Sequence, residues 1–128
     1  MADTPDPGFG LQELIGFTLE SVEGRSVAHV EVAEHHLNPH GIVHGAIPFT
    51  LMDTAMGGAV MSTLDDGRQC ATIEMQTRYH RPASGGTLTA TAKVTSGGRR
   101  IVHLAAETRD HEQRLVASAT ASFAVFQP

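Results

Sequence analysis

Between residues 45 and 64 the chain is almost continuously apolar, whereas beyond residue 71 apolar and polar positions alternate in short runs. The first pattern predicts a buried helix over about residues 45–64, and the second predicts half-exposed strands. Pro48 fits only near the helix start, where the N–H it lacks has no intrahelical acceptor to lose. Asp65-Asp66-Gly67 is the stop signal. The alternation predicts strands over 71–79, 87–95, 99–109 and 115–126, separated by turns at Arg81 to Gly86, Ser96 to Gly98 and Asp110 to Gln113. Ile73, Met75 and Tyr79 fall on one side of the first of these strands, and Thr72, Glu74, Gln76 and Arg78 on the other. Upstream, residues 26–33 read as a strand and His35 to Gly41 as a loop broken by Pro39 and Gly41. Residues 11–23 are ambiguous between a short helix and the start of a strand. Residues 1–10, rich in Pro, Gly and Asp, read as a flexible arm, leaving 11–128 as one domain. Turns at near-regular spacing indicate an antiparallel meander, and a meander with one long buried helix is an α+β layer pair.

Composition narrows the function. With 128 residues the chain has room for one modest core. Nine basic against fourteen acidic residues give a net charge of −5, which argues against non-specific nucleic-acid binding. A single cysteine, Cys70, has no partner for an intramolecular disulfide and suits a reducing compartment. No apolar run is long enough to span a membrane and no secretory signal opens the chain, so the expectation is a cytoplasmic protein.

The polar residues of the helix carry the chemistry. On a 3.6-residue period, Phe49, Met52, Met56 and Val60 form one apolar stripe, and Ile47, Leu51, Ala55 and Gly58 another. A third stripe holds Ala46, Thr50, Asp53 and Gly57, so the one helix carboxylate lies among small residues where a substrate can approach. Asp53 either bridges to a neighbouring loop or serves chemistry. His44-Gly45 opens the helix, where free N–H groups and the helix dipole favour an anion or a developing oxyanion. Asn38 in the preceding loop can orient water or a carbonyl, or simply shape a turn. Gly45 and Asp53 are eight residues apart, about 12 Å along a helix, too far to act on one carbonyl carbon. If both belong to one site, two subunits must share it.

These residues resemble a family. Asn38-x-x-Gly41-x-x-His44-Gly45, followed by Thr50-Leu51-x-Asp53, is similar to the hotdog-fold acyl-CoA thioesterases. The nearest likeness is to the phenylacetate-degradation group, related to 4-hydroxybenzoyl-CoA thioesterases. Thr72-Ile73-Glu74-Met75, Tyr79-x-Arg81-Pro82-Ala83, Gly98-Arg99-Arg100 and the run from Leu115 to Phe123 extend the resemblance over about residues 30–126. It implies a single hotdog domain, an antiparallel sheet wrapped around one long central helix. It also implies a homodimer with active sites at the interface, and often a dimer of dimers. In its terms the Gly45 N–H polarises a thioester carbonyl, with His44 beside it and Asn38 positioning water or substrate. Asp53 of the opposite subunit is general base or nucleophile, and Thr72 a helper hydroxyl. Ala46, Thr50 and Gly57 line the substrate, and Arg81, Arg99 and Arg100 are candidates for the CoA phosphates. No cofactor is implied, because coenzyme A is part of the substrate. Ala46 departs from the family's usual second glycine, and its methyl either fits, narrows the pocket or tilts the oxyanion donors.

Other chemistries fit less well. His35, His36, His40 and His44 cluster near the motif but lack a metal-binding helical spacing, so no metal is expected. Cys70 has no evident base and reads as a buried structural thiol. Arg99-Arg100 reads either as a solvated strand start or as a phosphate contact. No Gly-x-Ser-x-Gly elbow supports a serine triad. Thioester hydrolysis therefore stands against a non-catalytic acyl-CoA binding protein on the same fold, with hydratase chemistry further behind. Asp53 favours the enzyme, since a binder gains nothing from a carboxylate facing an anionic ligand.

Overall fold

A computed structural model describes residues 8–128, and the arm expected over 1–10 lies outside that range up to residue 7. The chain runs through α1 (Gly10–Ile15), β1 (Thr18–Val22), β2 (Arg25–Glu31), a 3-10 turn (Glu34–His36), α2 (Ala46–Met61), β3 (Gln69–Tyr79), β4 (Thr87–Gly97), β5 (Ile101–Arg109) and β6 (Leu115–Phe126). The strands form one antiparallel sheet in the order β1-β2-β4-β5-β6-β3, and α2 packs against every strand of it. This is the expected α+β hotdog architecture.

Size matching between the two layers explains the close fit. The sheet face beneath α2 is lined with buried alanines, Ala28, Ala90, Ala92, Ala106, Ala117, Ala119 and Ala121. Facing them, Leu51, Met52, Met56 and Val60 of α2 are wholly buried. Small side chains on the strands leave room for large ones on the helix, so the layers interdigitate. Each wholly buried Leu, Met or Val contributes about 1.5–3 kcal/mol. Two adjacent glycines mark different constraints on the helix surface. A Cβ at Gly58 would lie 2.5 Å from Ser21 Oγ and 3.0 Å from Ser26 Oγ, so this glycine lets the β1–β2 hairpin close over α2. A Cβ at Gly57 would meet only the Phe123 ring, at an ordinary 3.6 Å.

Several boundaries differ from the sequence reading for local reasons. The ambiguous residues 11–23 resolve into α1 and β1. Glu23 and Gly24, both at positive φ (45° and 83°), make the two-residue turn into β2. The main helix stops at Met61 instead of residue 64, because Thr63 and Leu64 bond back three residues, to Val60 and Met61. There the Ser62 hydroxyl accepts the Gly24 N–H at 2.7 Å. Phe49 does not join the buried stripe and is 39% exposed. In β3 the register slips between Thr72 and Glu74, leaving Ile73 as an unpaired bulge residue. The single period expected along this strand is thereby broken, and Thr72 joins Cys70 on the helix side while Ile73 becomes exposed.

The β5–β6 turn is pinned by a buried carboxylate. Asp110 accepts the backbone N–H groups of Glu112 and Arg114, each at 2.9 Å, and the Arg114 Nε at 2.8 Å. Burial pushes its carboxyl up, but the Arg114 and Glu112 amides and the Arg114 guanidinium outweigh burial and hold it below the usual range. A carboxyl with a lowered folded-state pKa stabilises fully above its unfolded value, near ~3.9, and this contribution fades as pH falls through the folded value.

Two stability outcomes are expected. In urea denaturation Gly58→Ala lowers stability by about 1–3 kcal/mol, whereas Gly57→Ala leaves it equal or raises it by up to about 1 kcal/mol. Equal midpoints for Gly58→Ala and wild type would contradict the hairpin contact. Asp110→Asn should be less stable at neutral pH and should lose less stability than wild type on acidification below about pH 4. Parallel stability-against-pH curves would show that the carboxylate charge is irrelevant.

Candidate active site

At the start of α2 one backbone amide is left open. The Ile47 N–H donates to the His44 carbonyl at 2.9 Å, and the Ala46 N–H donates to His44 Nδ1, also at 2.9 Å. Pro48 has no N–H, and Phe49 bonds the Gly45 carbonyl at 3.3 Å. The Gly45 N–H has no acceptor among the described residues. It sits at the positive end of the helix, where a carbonyl oxygen gaining negative charge is stabilised. Ala46 keeps the backbone N–H that a glycine would have there, and His44 Nδ1 accepts it. His44 is exposed, and since its Nδ1 accepts, its neutral ring carries the proton on Nε2.

Asp53 lies two turns further on, half-buried on α2. Its Oδ1 accepts the Thr72 hydroxyl at 2.7 Å, and the β3 bulge turns Thr72 toward it. Its other oxygen has no bond among the described residues. Thr50, Asp53, Gly57, Cys70 and Thr72 line a groove of about 1750 Å³ that runs along α2 and is flanked by residues of the edge strands β1 and β3. Gly45 instead borders a separate apolar hollow of about 360 Å³, with Pro48, Tyr79 and Arg81. Within one chain Gly45 and Asp53 thus line different cavities.

The remaining candidates divide. Asn38 Oδ1 accepts the N–H groups of His40 (2.9 Å) and Ile42 (3.2 Å), so it shapes its own loop and leaves only its NH2 for a ligand. The Thr50 hydroxyl is spent on the Ala46 carbonyl at 2.7 Å. Arg99 and Arg100 occupy the β4–β5 turn rather than a strand start, because pairing begins at Ile101. Their carbonyls accept from Arg68 Nη1 (3.1 Å) and the Val125 N–H (2.8 Å). Arg81 follows the far end of β3, a strand spanning about 35 Å at ~3.3 Å per residue, so one chain does not gather the three arginines. His36 is buried, linking the Ala33 N–H (2.9 Å) to the Ile15 carbonyl (2.8 Å), and its ring lies tilted against that of His35. The Cys70 thiol is half-buried rather than buried, pointing at the Gly57 carbonyl at 3.7 Å.

One contact escaped the sequence reading. The Tyr79 hydroxyl donates to the Gly45 carbonyl at 2.8 Å. Alternation placed Tyr79 on the side of Met75, but spacing along a strand does not tell which helix residue a side chain meets.

The fold agrees with what the chain resembles among known proteins. The family model of the thioesterase superfamily matches residues 40–117, and the chain belongs to that superfamily. A protein of Halobacterium salinarum, provisionally named an esterase, is 35% identical over 130 residues, covering 92% of this chain and 85% of its own. A 1,4-dihydroxy-2-naphthoyl-CoA hydrolase of Listeria monocytogenes is 26% identical over 117 residues, covering 91% of this chain and 95% of its own. Among solved structures, a phenylacetic acid degradation-related protein of Ralstonia eutropha superposes with a TM-score of 0.84 at 27% identity, over 93% of this chain and 92% of its own.

Cys70 reports on the neighbourhood of Asp53 without any activity assay. Burial pushes its thiol pKa up, and the Asp53 carboxylate pushes it further. A disulfide reagent at mildly alkaline pH should therefore label Cys70 more slowly than it labels an exposed thiol. Asp53→Asn removes one of the two causes and should speed labelling. An unchanged rate in that variant would separate the thiol from the carboxylate.

Proposed function

We propose that this protein hydrolyses acyl-CoA thioesters, with aryl or short- to medium-chain acyl groups, at two equivalent sites shared across a homodimer. The observation that carries the reading is how the two polar groups are tied to one unpaired edge. Among the described residues β3 pairs only with β6, and its other edge is open along eleven residues. Near one end it holds Asp53 through Thr72; at the other it holds Gly45 through Tyr79. If two copies pair antiparallel along β3, the Gly45 end of one meets the Asp53 end of the other. The same pairing brings Arg81 of one chain toward the Arg99–Arg100 turn of the partner, on the side where nucleotide phosphates would lie. Exposed apolar groups on β3 and α2 support burial there: Ile73 is 52% exposed, Tyr79 55%, Phe49 39% and Met61 41%.

In the resulting site the Gly45 N–H polarises the thioester carbonyl. Asp53 of the partner subunit takes a proton from water as the water oxygen attacks the carbonyl carbon. Collapse of the tetrahedral species breaks the C–S bond, and the proton passes to the departing thiolate, giving free acid and coenzyme A. Direct attack by the carboxylate is the covalent variant of the same arrangement. No further cofactor enters this chemistry. A cytoplasmic location belongs to this reading, supported by the nature of the substrate; no described helix is long and apolar enough to cross a membrane.

Purified protein should release free thiol from a panel of acyl-CoAs, and Asp53→Asn should lower kcat by roughly 100-fold or more. Tight acyl-CoA binding without thiol release would favour the binding-protein alternative. Subunit sharing has its own test. Gly45 has φ −57°, compatible with proline, so Gly45→Pro removes the open N–H without changing the backbone conformation. The Tyr79 ring must give by a few tenths of an ångström to admit the new Cβ. Each variant alone should retain only a small fraction of wild-type activity. Co-expression of Gly45→Pro with Asp53→Asn should restore about a quarter of wild-type activity, because half of randomly paired dimers are mixed and each has one intact site. No recovery in isolated mixed dimers would overturn the shared site.

A further inference from the structure

The open amide of Gly45 is useful only if its direction is fixed, and the local sequence makes that difficult. Glycine has the widest backbone freedom of any residue. Pro48 deprives the first turn of the N–H that would otherwise reach the His44 carbonyl, and the Phe49 bond to the Gly45 carbonyl is long, at 3.3 Å. Side chains make up the deficit. The peptide joining Gly45 to Ala46 is held at both ends: His44 Nδ1 accepts its N–H at 2.9 Å, and the Tyr79 hydroxyl donates to its carbonyl at 2.8 Å. The peptide joining His44 to Gly45 is held at its carbonyl by the Ile47 N–H, at 2.9 Å. In a trans peptide the N–H points opposite to the C=O, so this bond aims the Gly45 N–H away from the helix. Tyr79 also excludes alternatives by contact. A Cβ at position 45 would lie 3.2 Å from the Tyr79 ring and hydroxyl, so the aromatic ring lies against the glycine itself.

We propose that Tyr79 is a positioning residue for the oxyanion donor: by holding the Gly45 carbonyl, its hydroxyl sets the direction in which the Gly45 N–H meets the substrate carbonyl. The inference rests on the thioesterase reading above. Tyr79 touches no reacting atom. Its influence passes through a backbone unit with few other restraints, at the one first-turn amide of α2 that has no acceptor among the described residues. Burial raises the Tyr79 pKa, so the hydroxyl remains a proton donor throughout the neutral and mildly alkaline range.

The test uses the full-length protein and the conservative variant Tyr79→Phe, which keeps the ring against Gly45 and removes only the hydroxyl. On an acyl-CoA that wild type hydrolyses, kcat should fall roughly 10- to 100-fold, the scale on which misaligned catalytic groups act. KM should stay within about threefold and the thermal midpoint should be unchanged, because the hydroxyl neither binds substrate nor supports the core. A spectroscopic readout separates positioning from general loosening. The infrared stretch of a 13C-labelled thioester carbonyl is recorded on the slow variant Asp53→Asn and on Asp53→Asn/Tyr79→Phe. The bound carbonyl should shift to lower frequency in the first and less so in the second. Wild-type kcat in Tyr79→Phe, an increase in KM alone, or an identical carbonyl shift in both backgrounds would overturn the proposal while leaving the thioesterase reading intact. Absence of hydrolysis by wild type on every acyl-CoA tested would overturn both.

Discussion

The close seating of α2 on an alanine-lined sheet is the constraint on which everything else depends. Because the strands present Ala28, Ala90, Ala92, Ala106, Ala117, Ala119 and Ala121, the helix can bury Leu51, Met52, Met56 and Val60 without pushing the layers apart. That fixes the rotation of the helix about its axis. With those residues inward, Thr50, Asp53 and Gly57 turn toward the groove, since they lie on another face of the same 3.6-residue period. A helix apolar on nearly every side therefore carries its one carboxylate where a ligand can reach it. Gly58 closes the arrangement by letting the β1–β2 hairpin lie directly over the helix.

The edge strand β3 then acts as a ruler for the site. Two of its hydroxyls, on Thr72 and Tyr79, reach to the helix and fasten Asp53 and Gly45 at different points along its length. The bulge at Ile73 is what brings both hydroxyls onto the helix side; with unbroken alternation, residues 72 and 79 would face opposite ways. A backbone irregularity that looks like a defect in the strand is thus a condition for the geometry. It also leaves Ile73 on the exposed side, next to an unpaired edge that a second copy of the chain would cover in the proposed dimer.

Much of this could be read in the sequence because it follows from local periodicity. The long helix, the strands after residue 69 and the turns between them are encoded in the spacing of apolar residues and in Gly, Pro and Asp signals. The positions of Gly45 and Asp53 on the helix follow from the same period. What could not be read depends on contacts between distant segments. Helix termination at Met61 depends on Ser62 meeting Gly24, thirty-eight residues away, and on a tightened last turn. Half-exposure of Cys70 depends on β3 being an edge, which strand order alone decides. The arginines looked like one set in the sequence, yet Arg81 and the Arg99–Arg100 turn lie at opposite ends of the sheet.

By itself the sequence determined the fold class, the buried helix, the open helix start at Gly45 and a carboxylate about 12 Å away from it. These are properties of one segment and its period, so a linear reading suffices. Only the tertiary structure decided which groups hold those two residues in place. Thr72 meets Asp53 across nineteen positions of chain and Tyr79 meets Gly45 across thirty-four. Side-chain contacts at that separation depend on sheet order, strand register and a single-residue bulge. None of these has a signature in hydrophobic spacing, because each arises only when the segments pack against one another.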